Sequence, residues 1–383
     1  MQAFGNDVQT LLYLLNCAAN GKTPQIDKLR VTEELYNLSC SHMVSAMIAH
    51  ALTPLLDDLS LFTEEQKVMW LTAKNNSIRR SVLYAAERKR VFGALEQRHI
   101  PYMPLKGSVL IKYYPLEGLR ELSDVDIWFD RTRAGDVREM MLSLGFTEES
   151  YGETHHDTYS KLPIYEFEMH RELFKTKYEN LYRYYSDVEK RLIAADDGSS
   201  LRHFSPDDFY IFLLAHACKH YGIAGIGVRT LADLYLYEKK ELLNFGYIRL
   251  ELEKMGISEL GEQLIRLSRL LLSEKALNEP IDLTDADRET LAFIIKSGAS
   301  GTTDNMIVNR IKSFSKGDGV NKRTKASYLM SRLFLKPEEY EKSYPFFYRH
   351  RWARPFLIFA RIPKALTVKR KSLKKELDII KKT

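Results

Sequence analysis

From Asp124 the chain reads Asp-Val-Asp-Ile-Trp-Phe, and this alternation constrains the fold more than any other stretch. Residues two apart in a strand project from one face. Val125–Phe129 is therefore predicted to be a strand, with Asp124 and Asp126 side by side at its start. Adjacent carboxylates repel unless a cation lies between them, and hard oxygen ligands suit Mg²⁺. Upstream, Tyr102-Met103-Pro104-Leu105 is a short apolar stretch able to enter the same sheet. Lys106-Gly107-Ser108 and a short helix from Val109 to Tyr114 follow it. A Gly-Ser turn before a helix offers backbone N–H groups and a hydroxyl to phosphate oxygens. The two features together suit a nucleoside triphosphate and its metals.

The rest of the chain reads mostly as helix. Residues 1–98 carry helical apolar spacing, including a helix from Thr63 through Leu95 with Leu83, Val91 and Leu95 inward and Arg79, Arg80, Arg88 and Arg90 outward. Asp136 to Leu144 is expected to be helical, with Gly145 as its stop. Residues 155–170 alternate as two strands, the second being Ile164 to His170. Ser205-Pro206-Asp207-Asp208 is a helix start, with an N-cap Ser, Pro at the first helical position and acid in the first turn. Further helices are expected over 228–240 and 247–275. The Gly-, Ser- and Thr-rich stretch 298–320 reads as a loop or hinge. The expected organisation is a helical region (1–98), a catalytic core (99–200), a helical cleft region (201–297), the hinge, and a basic helical end (321–383).

Charge is unevenly spread. Residues 321–383 hold 18 Lys/Arg against 5 Asp/Glu, a net +13, which leaves −7 for the preceding 320 residues of a chain whose total is +6. The basic end reads first as a solvated helix face and second as a weak contact for an anionic membrane surface. The acidic body and the lack of a reader motif point away from nucleic acid. Cys17, Cys40 and Cys218 are an odd number, far apart and without a CxxC. That usage, with no apolar leader near Met1 and no run of roughly 20 apolar residues, predicts a reduced, cytoplasmic protein.

In order, Leu105-Lys106-Gly107, Tyr114-Pro115, Arg120, Asp124-Val125-Asp126 and Glu168-Met169-His170 resemble the signature of a bacterial family of largely uncharacterised nucleotidyltransferases within the DNA polymerase β-like superfamily. His216-x-x-x-His220, Arg229 and Asp233 fit that family's helical region, and the resemblance runs from about Leu11 to Pro355. It implies an α+β fold, a small mixed sheet flanked by N-terminal and C-terminal helices. It also implies two Mg²⁺ ions on Asp124, Asp126 and Glu168, with Lys106, Gly107, Ser108 and Arg120 on the nucleotide. The implied reaction moves a nucleoside monophosphate from an NTP to a hydroxyl of a small molecule, saccharide or peptide and releases pyrophosphate. A protein AMP-transferase and a nucleotide-binding module without turnover are the alternatives.

Each of these residues also has a plainer reading. Glu166, two residues before Glu168 and on the same strand face, rivals it as the third acid. Lys106 could be a turn lysine, and Arg120 could pair with Glu117 or Glu121. His216 and His220 have i, i+4 zinc-ligand spacing but no third ligand at convincing spacing. They are expected to line the cleft or to bond Asp233. Arg229 and Asp233 could form a helix salt pair or touch substrate. His155-His156-Asp157 reads as a polar hairpin turn, and His170 as a support for Glu168 or a pocket-lining residue.

Overall fold

The computed structural model describes residues 4–58, 60–299 and 301–312, and six isolated positions beyond them. The basic C-terminal helical region read from the sequence therefore lies almost wholly outside the described residues. The chain divides into two compact units, residues 1–219 with 226–299, and residues 220–225 with 300–383.

The first unit opens with helices α1 (Asn6–Asn20), α2 (Glu33–Ser41), α3 (Ser45–Leu52) and the long α4 (Glu64–Gln97). A reciprocal capping box between Thr63 and Gln66 starts α4, a device worth about 1 kcal/mol. After α4 come strand β1 (Tyr102–Pro104), helix α5 (Gly107–Leu110), β2 (Val125–Phe129), α6 (Ala134–Ser143), β3 (Thr147–Ser150), β4 (His156–Lys161) and β5 (Tyr165–His170). Helix α7 (Glu179–Tyr185), the short antiparallel pair β6 (Ile193–Ala194) and β7 (Arg202–His203), and helices α8 (Pro206–Ile223), α9 (Val228–Glu238), α10 (Phe245–Met255), α11 (Ser258–Leu272), α12 (Asp285–Ser297) and α13 (Thr303–Lys312) follow. Ser205 caps α8 by accepting from the Asp208 amide at 3.1 Å, as the Ser-Pro-Asp-Asp start requires. No helix among the described residues is long and apolar enough to cross a membrane.

Strands β1 to β5 form one mixed sheet in the order β1-β2-β5-β4-β3. Only β2 and β5 run parallel; β1–β2, β5–β4 and β4–β3 are antiparallel. The fold is therefore α+β, as the resemblance implied. Side-chain alternation divides the sheet into two faces of different chemistry. Val125, Ile127, Phe129, Tyr159, Phe167 and Met169 point to one face and form the core with Tyr84, Val91, Leu95, Val137 and Met140 of α4 and α6. Asp126, Trp128, Glu168 and His170 alternate with them and so point to the other.

Several local expectations are corrected. Leu83 of α4 is exposed and Tyr84 takes the inward position. Arg80 does not project into water; its Nε donates to the Leu122 carbonyl at 2.7 Å. The 247–275 stretch is two helices, because Gly256 at φ 69° ends α10 with its amide on Glu253 O, a left-handed cap that suits glycine. His155-His156-Asp157 is not the hairpin turn: His156 and Asp157 begin β4. Within the stretch read as loop or hinge, α13 forms. In the second unit Asn309 of α13 donates to the Tyr221 carbonyl at 3.1 Å.

Candidate active site

Strand register brings the acids together. In the β2–β5 pair Asp126 is directly opposite Glu168, and Trp128 is opposite His170. Asp124 precedes β2 by one residue and accepts from its neighbour Ser123 Oγ at 2.7 Å. Helix α4 fixes the approach to it. Arg80 holds the carbonyls of Leu122 and Ser123, and the Tyr84 hydroxyl lies 3.0 Å from Ser123 O and 2.7 Å from Ile164 O. One helix thus pins the chain just before Asp124 and just before β5. Glu168 is half-buried, whereas Glu166 is exposed.

Lys106 and His170 rest against Asp126. Lys106 Nζ is 2.7 Å from its Oδ1 and 3.2 Å from His216 Nε2. His170 Nε2 is 2.8 Å from the same oxygen and 3.3 Å from Glu168 Oε2. Burial disfavours the Asp126 anion, but Lys106 and His170 outweigh it and hold the carboxyl well below its usual range. Burial likewise opposes charge on His170, and its bonds to Asp126 and Glu168 raise its pKa nonetheless. Asp124 behaves oppositely. Burial, then repulsion from Asp126, pushes it up. This carboxylate has too little positive charge around it.

The turn before α5 is strained. Lys106 has φ 39° and ψ −110°, a backbone region that side-chain-bearing residues rarely occupy and that costs of order 1–3 kcal/mol. Strain of this kind persists where surrounding bonds over-determine it, and here Leu105 N donates to Asp126 O at 3.0 Å while Lys106 is held at its tip. The Ser108 amide closes back on Leu105 O at 3.1 Å, so it does not point outward as a Gly107–Ser108 amide pair would require. Ser108 Oγ is buried and has no hydrogen-bond partner.

Arg120 sits beneath this turn. Its Nε and Nη2 each lie 2.8 Å from a different oxygen of Asp233, and Tyr114 donates to Oδ1 at 2.7 Å. A Cβ on Gly107 would come within 2.6 Å of Arg120 Nη1, so only glycine allows the turn to rest on the guanidinium. The pairing of Arg120 with Glu117 or Glu121 does not form. Glu121 instead accepts from Ser45 and the Ala46 amide at the start of α3. The helix pair Arg229–Asp233 does not form either: Arg229 donates to the Glu121 carbonyl at 2.8 Å. Asp233 is taken up by Arg120 and Tyr114 rather than by a histidine. Of the i, i+4 pair, His216 reaches Lys106, and His220 falls in the second unit.

His155 and His156, read from the sequence as part of a turn, and Lys219, which was not singled out, also belong to this neighbourhood. His156 is the cross-strand partner of His170, and its Nδ1 lies 3.5 Å from Glu168 Oε2. Burial, then His170, pushes His156 down to about 4 and His155 to about 2. Lys219, three residues after His216 on α8, lies over the Phe174 ring. Burial and Lys106 lower its pKa to about 7. The i, i+3 spacing from His216 was the available signal for Lys219. For the histidines it was the alternation that continues from Asp157 into Lys161.

A family model described as uncharacterised nucleotidyltransferase matches residues 30–273. The chain belongs to that family. No curated protein and no solved structure matches it. The matched span of this nucleotidyltransferase runs from before α2 into the residue after α11, and includes every side chain of the acidic face described above. The enzyme's general activity is nucleotidyl transfer, which makes a nucleoside triphosphate its substrate.

Proposed function

We propose that the enzyme transfers a nucleoside monophosphate from an NTP to a hydroxyl of a small-molecule, saccharide or peptide acceptor, in a Mg²⁺-dependent reaction that releases pyrophosphate. The observation that carries this reading is the register that sets Glu168 beside Asp126, with Asp124 next to them and short of positive charge. A surplus of half-buried carboxylates, with donor atoms of Asp126, Glu168 and His170 within 4.8 Å of one another, fits hard divalent cations.

Asp124, Asp126 and Glu168 would hold two such ions. Bound there, they would neutralise the triphosphate and lower the pKa of the acceptor hydroxyl. Lys106 is already charged, and its pKa is raised despite burial by Asp126 and Asp124. It is placed to exchange Asp126 for a phosphate oxygen. The unpartnered Ser108 hydroxyl is suited to a second phosphate contact, and Arg120 supports the turn from below. His170 orients both Asp126 and Glu168. The acceptor oxygen forms its bond to the α-phosphorus, the α–β bridging bond breaks, pyrophosphate leaves, and Glu168 takes the hydroxyl proton. Rate acceleration then derives from positioning and charge neutralisation.

Calorimetric titration with a panel of non-hydrolysable NTPs, with and without Mg²⁺, tests the site on wild type and Asp124→Asn. Metal-dependent binding that the substitution removes supports the assignment. Equal binding by both proteins overturns it. Pyrophosphate release from NTP in the presence of pooled hydroxyl acceptors tests the transfer itself.

A further inference from the structure

Beside the acidic pair lies a cluster of imidazoles, of which the proposed transfer uses only His170, through its Nε2 on Asp126 and Glu168. His155, His156 and His170 bring one ring nitrogen each within 4.8 Å of the others. Ring centroids are 4.5 Å apart for His155–His156, 5.0 Å for His156–His170 and 5.4 Å for His155–His170. The Nδ1 atoms of all three are buried and lack a hydrogen-bond partner. One orphaned imidazole nitrogen is tolerable; three on neighbouring rings each forfeit hydration, a cost of about 1–3 kcal/mol apiece.

The framework around them is fixed. His156 and His170 are opposite residues of an antiparallel pair. The His155 carbonyl accepts from the amides of Arg171 and Glu172 at 2.9 and 3.1 Å. Asp157, fully buried, accepts from Arg171 Nε at 2.9 Å and from the Gly152 amide at 2.7 Å, which closes the loop leading into His155. His170 also has the arrangement usual for a metal-bound imidazole. Its Nε2 lies on a carboxylate, Asp126, so that Nδ1 is left for another partner.

We propose that His155, His156 and His170 form a binding site for a borderline divalent transition metal of the zinc class, adjoining the carboxylate site for Mg²⁺. Imidazole nitrogen is a preferred ligand of such ions and a poor one for Mg²⁺. Zinc–nitrogen bonds of about 2.0–2.1 Å hold tetrahedral ligands about 3.4 Å apart, so the three rings need only draw in slightly. Glu168 Oε2, 3.5 Å from His156 Nδ1 and 3.3 Å from His170 Nε2, adds negative charge beside the three rings, and the fourth position is left to water. Its charge and that of Asp126 favour a cation, against opposition from Lys219 and Lys175, whose charges act on His155.

This site does not depend on the nucleotidyl-transfer reading, and its test contains no nucleotide. The full chain, stripped with chelator, is titrated with Co²⁺ as a visible-absorption probe and then with Zn²⁺ in competition with a chromogenic chelator. Wild type is expected to bind one equivalent with the intense absorption of a four-coordinate centre. His155→Gln/His156→Gln should weaken Zn²⁺ at least about 100-fold, with far-ultraviolet circular dichroism unchanged. Asp124→Asn should leave the spectrum as it is. Histidine-selective NMR of wild type, with and without Zn²⁺, needs no variant and should shift these three imidazoles. Binding unaffected by the double substitution, binding abolished by Asp124→Asn, or Zn²⁺ shifts confined to other histidines would each overturn the proposal.

Discussion

Two carboxylate clusters lie within the first unit, and they handle charge in opposite ways. At Asp233 one carboxylate meets a bidentate arginine and a tyrosine hydroxyl, and every oxygen has a partner. At Asp124, Asp126 and Glu168, three carboxylates share Lys106 and His170, and one of the three is pushed towards its neutral form. The first cluster is closed by its own residues. The second is balanced at Asp126 and Glu168 and keeps a deficit at Asp124. A buried ion pair with matched partners fixes geometry, whereas unmatched charge of one sign marks where a ligand is expected.

The largest effect should come from Asp124→Asn. Nucleotidyl transfer is expected to fall by about 10²–10³-fold or more, since preorganised charge at the reacting centre is typically worth that much. Thermal stability should stay level or rise, because the change removes repulsion with Asp126. A fall in Tm of several degrees would place Asp124 in the structural class instead. Asp233→Ala should show the reverse pattern. Leaving Arg120 buried without its partner costs about 3–5 kcal/mol, readable by urea unfolding. Activity would fall only as the Gly107 turn loosens. If Asp233→Ala left stability intact and removed nucleotide binding, the two clusters would have to exchange roles.

Much of the acidic face was legible because its signals are local. Alternation from Asp124 to Phe129 and from Tyr165 to His170 sets which side chains share a face, and the mixed sheet was implied by the family resemblance. The Ser205 cap and the Gly145 stop are equally local. What stayed hidden depends on long-range pairing. Arg80 looks like a solvated helix residue until the loop at Leu122 and Ser123 packs on it. Asp157 looks like a turn residue because a strand aspartate is rare, and Arg171 is what makes its burial tolerable. Arg120 and Asp233 were both visible as candidates, yet spacing along the chain offered nearer partners, Glu117, Glu121 and Arg229. Only the packing of α9 against the Gly107 turn selects between them.

A smaller effect comes from the helical frame, where a titrating group sits away from both clusters. His42, fully buried, accepts from the Val228 amide at 3.3 Å and must be neutral to do so. Burial lowers its pKa from 6.5 to about 4. The unfolded chain therefore takes up a proton before the folded one as pH falls, and stability is lost progressively between pH 6.5 and 4. The full loss is about 3 kcal/mol. His42→Asn keeps an acceptor without the titration. Its unfolding free energy should fall less than that of wild type between pH 7 and pH 4.5, by about 2 kcal/mol. Parallel pH profiles for the two proteins would remove His42 as the source. Unlike Asp124, this residue changes stability and leaves transfer at fixed pH nearly untouched.

The smallest expected effect divides the acidic cluster internally. Glu166 and Glu168 point to the same face, yet only Glu168 lies opposite Asp126 and contacts His170. Burial, then Asp124, raises the pKa of Glu166, whereas Glu168 is lowered against its burial by His170. Glu168 is thus held as an anion at the centre of the cluster, and Glu166 adds negative potential at its exposed rim. Glu166→Gln should change kcat by less than about tenfold, with an effect that shrinks as salt screens the exposed charge. Glu168→Gln should cost about 10²-fold or more at any ionic strength. Should the two substitutions be equal, the third ligand position would be shared along the strand, and the boundary between closed and open charge would move one strand repeat towards solvent.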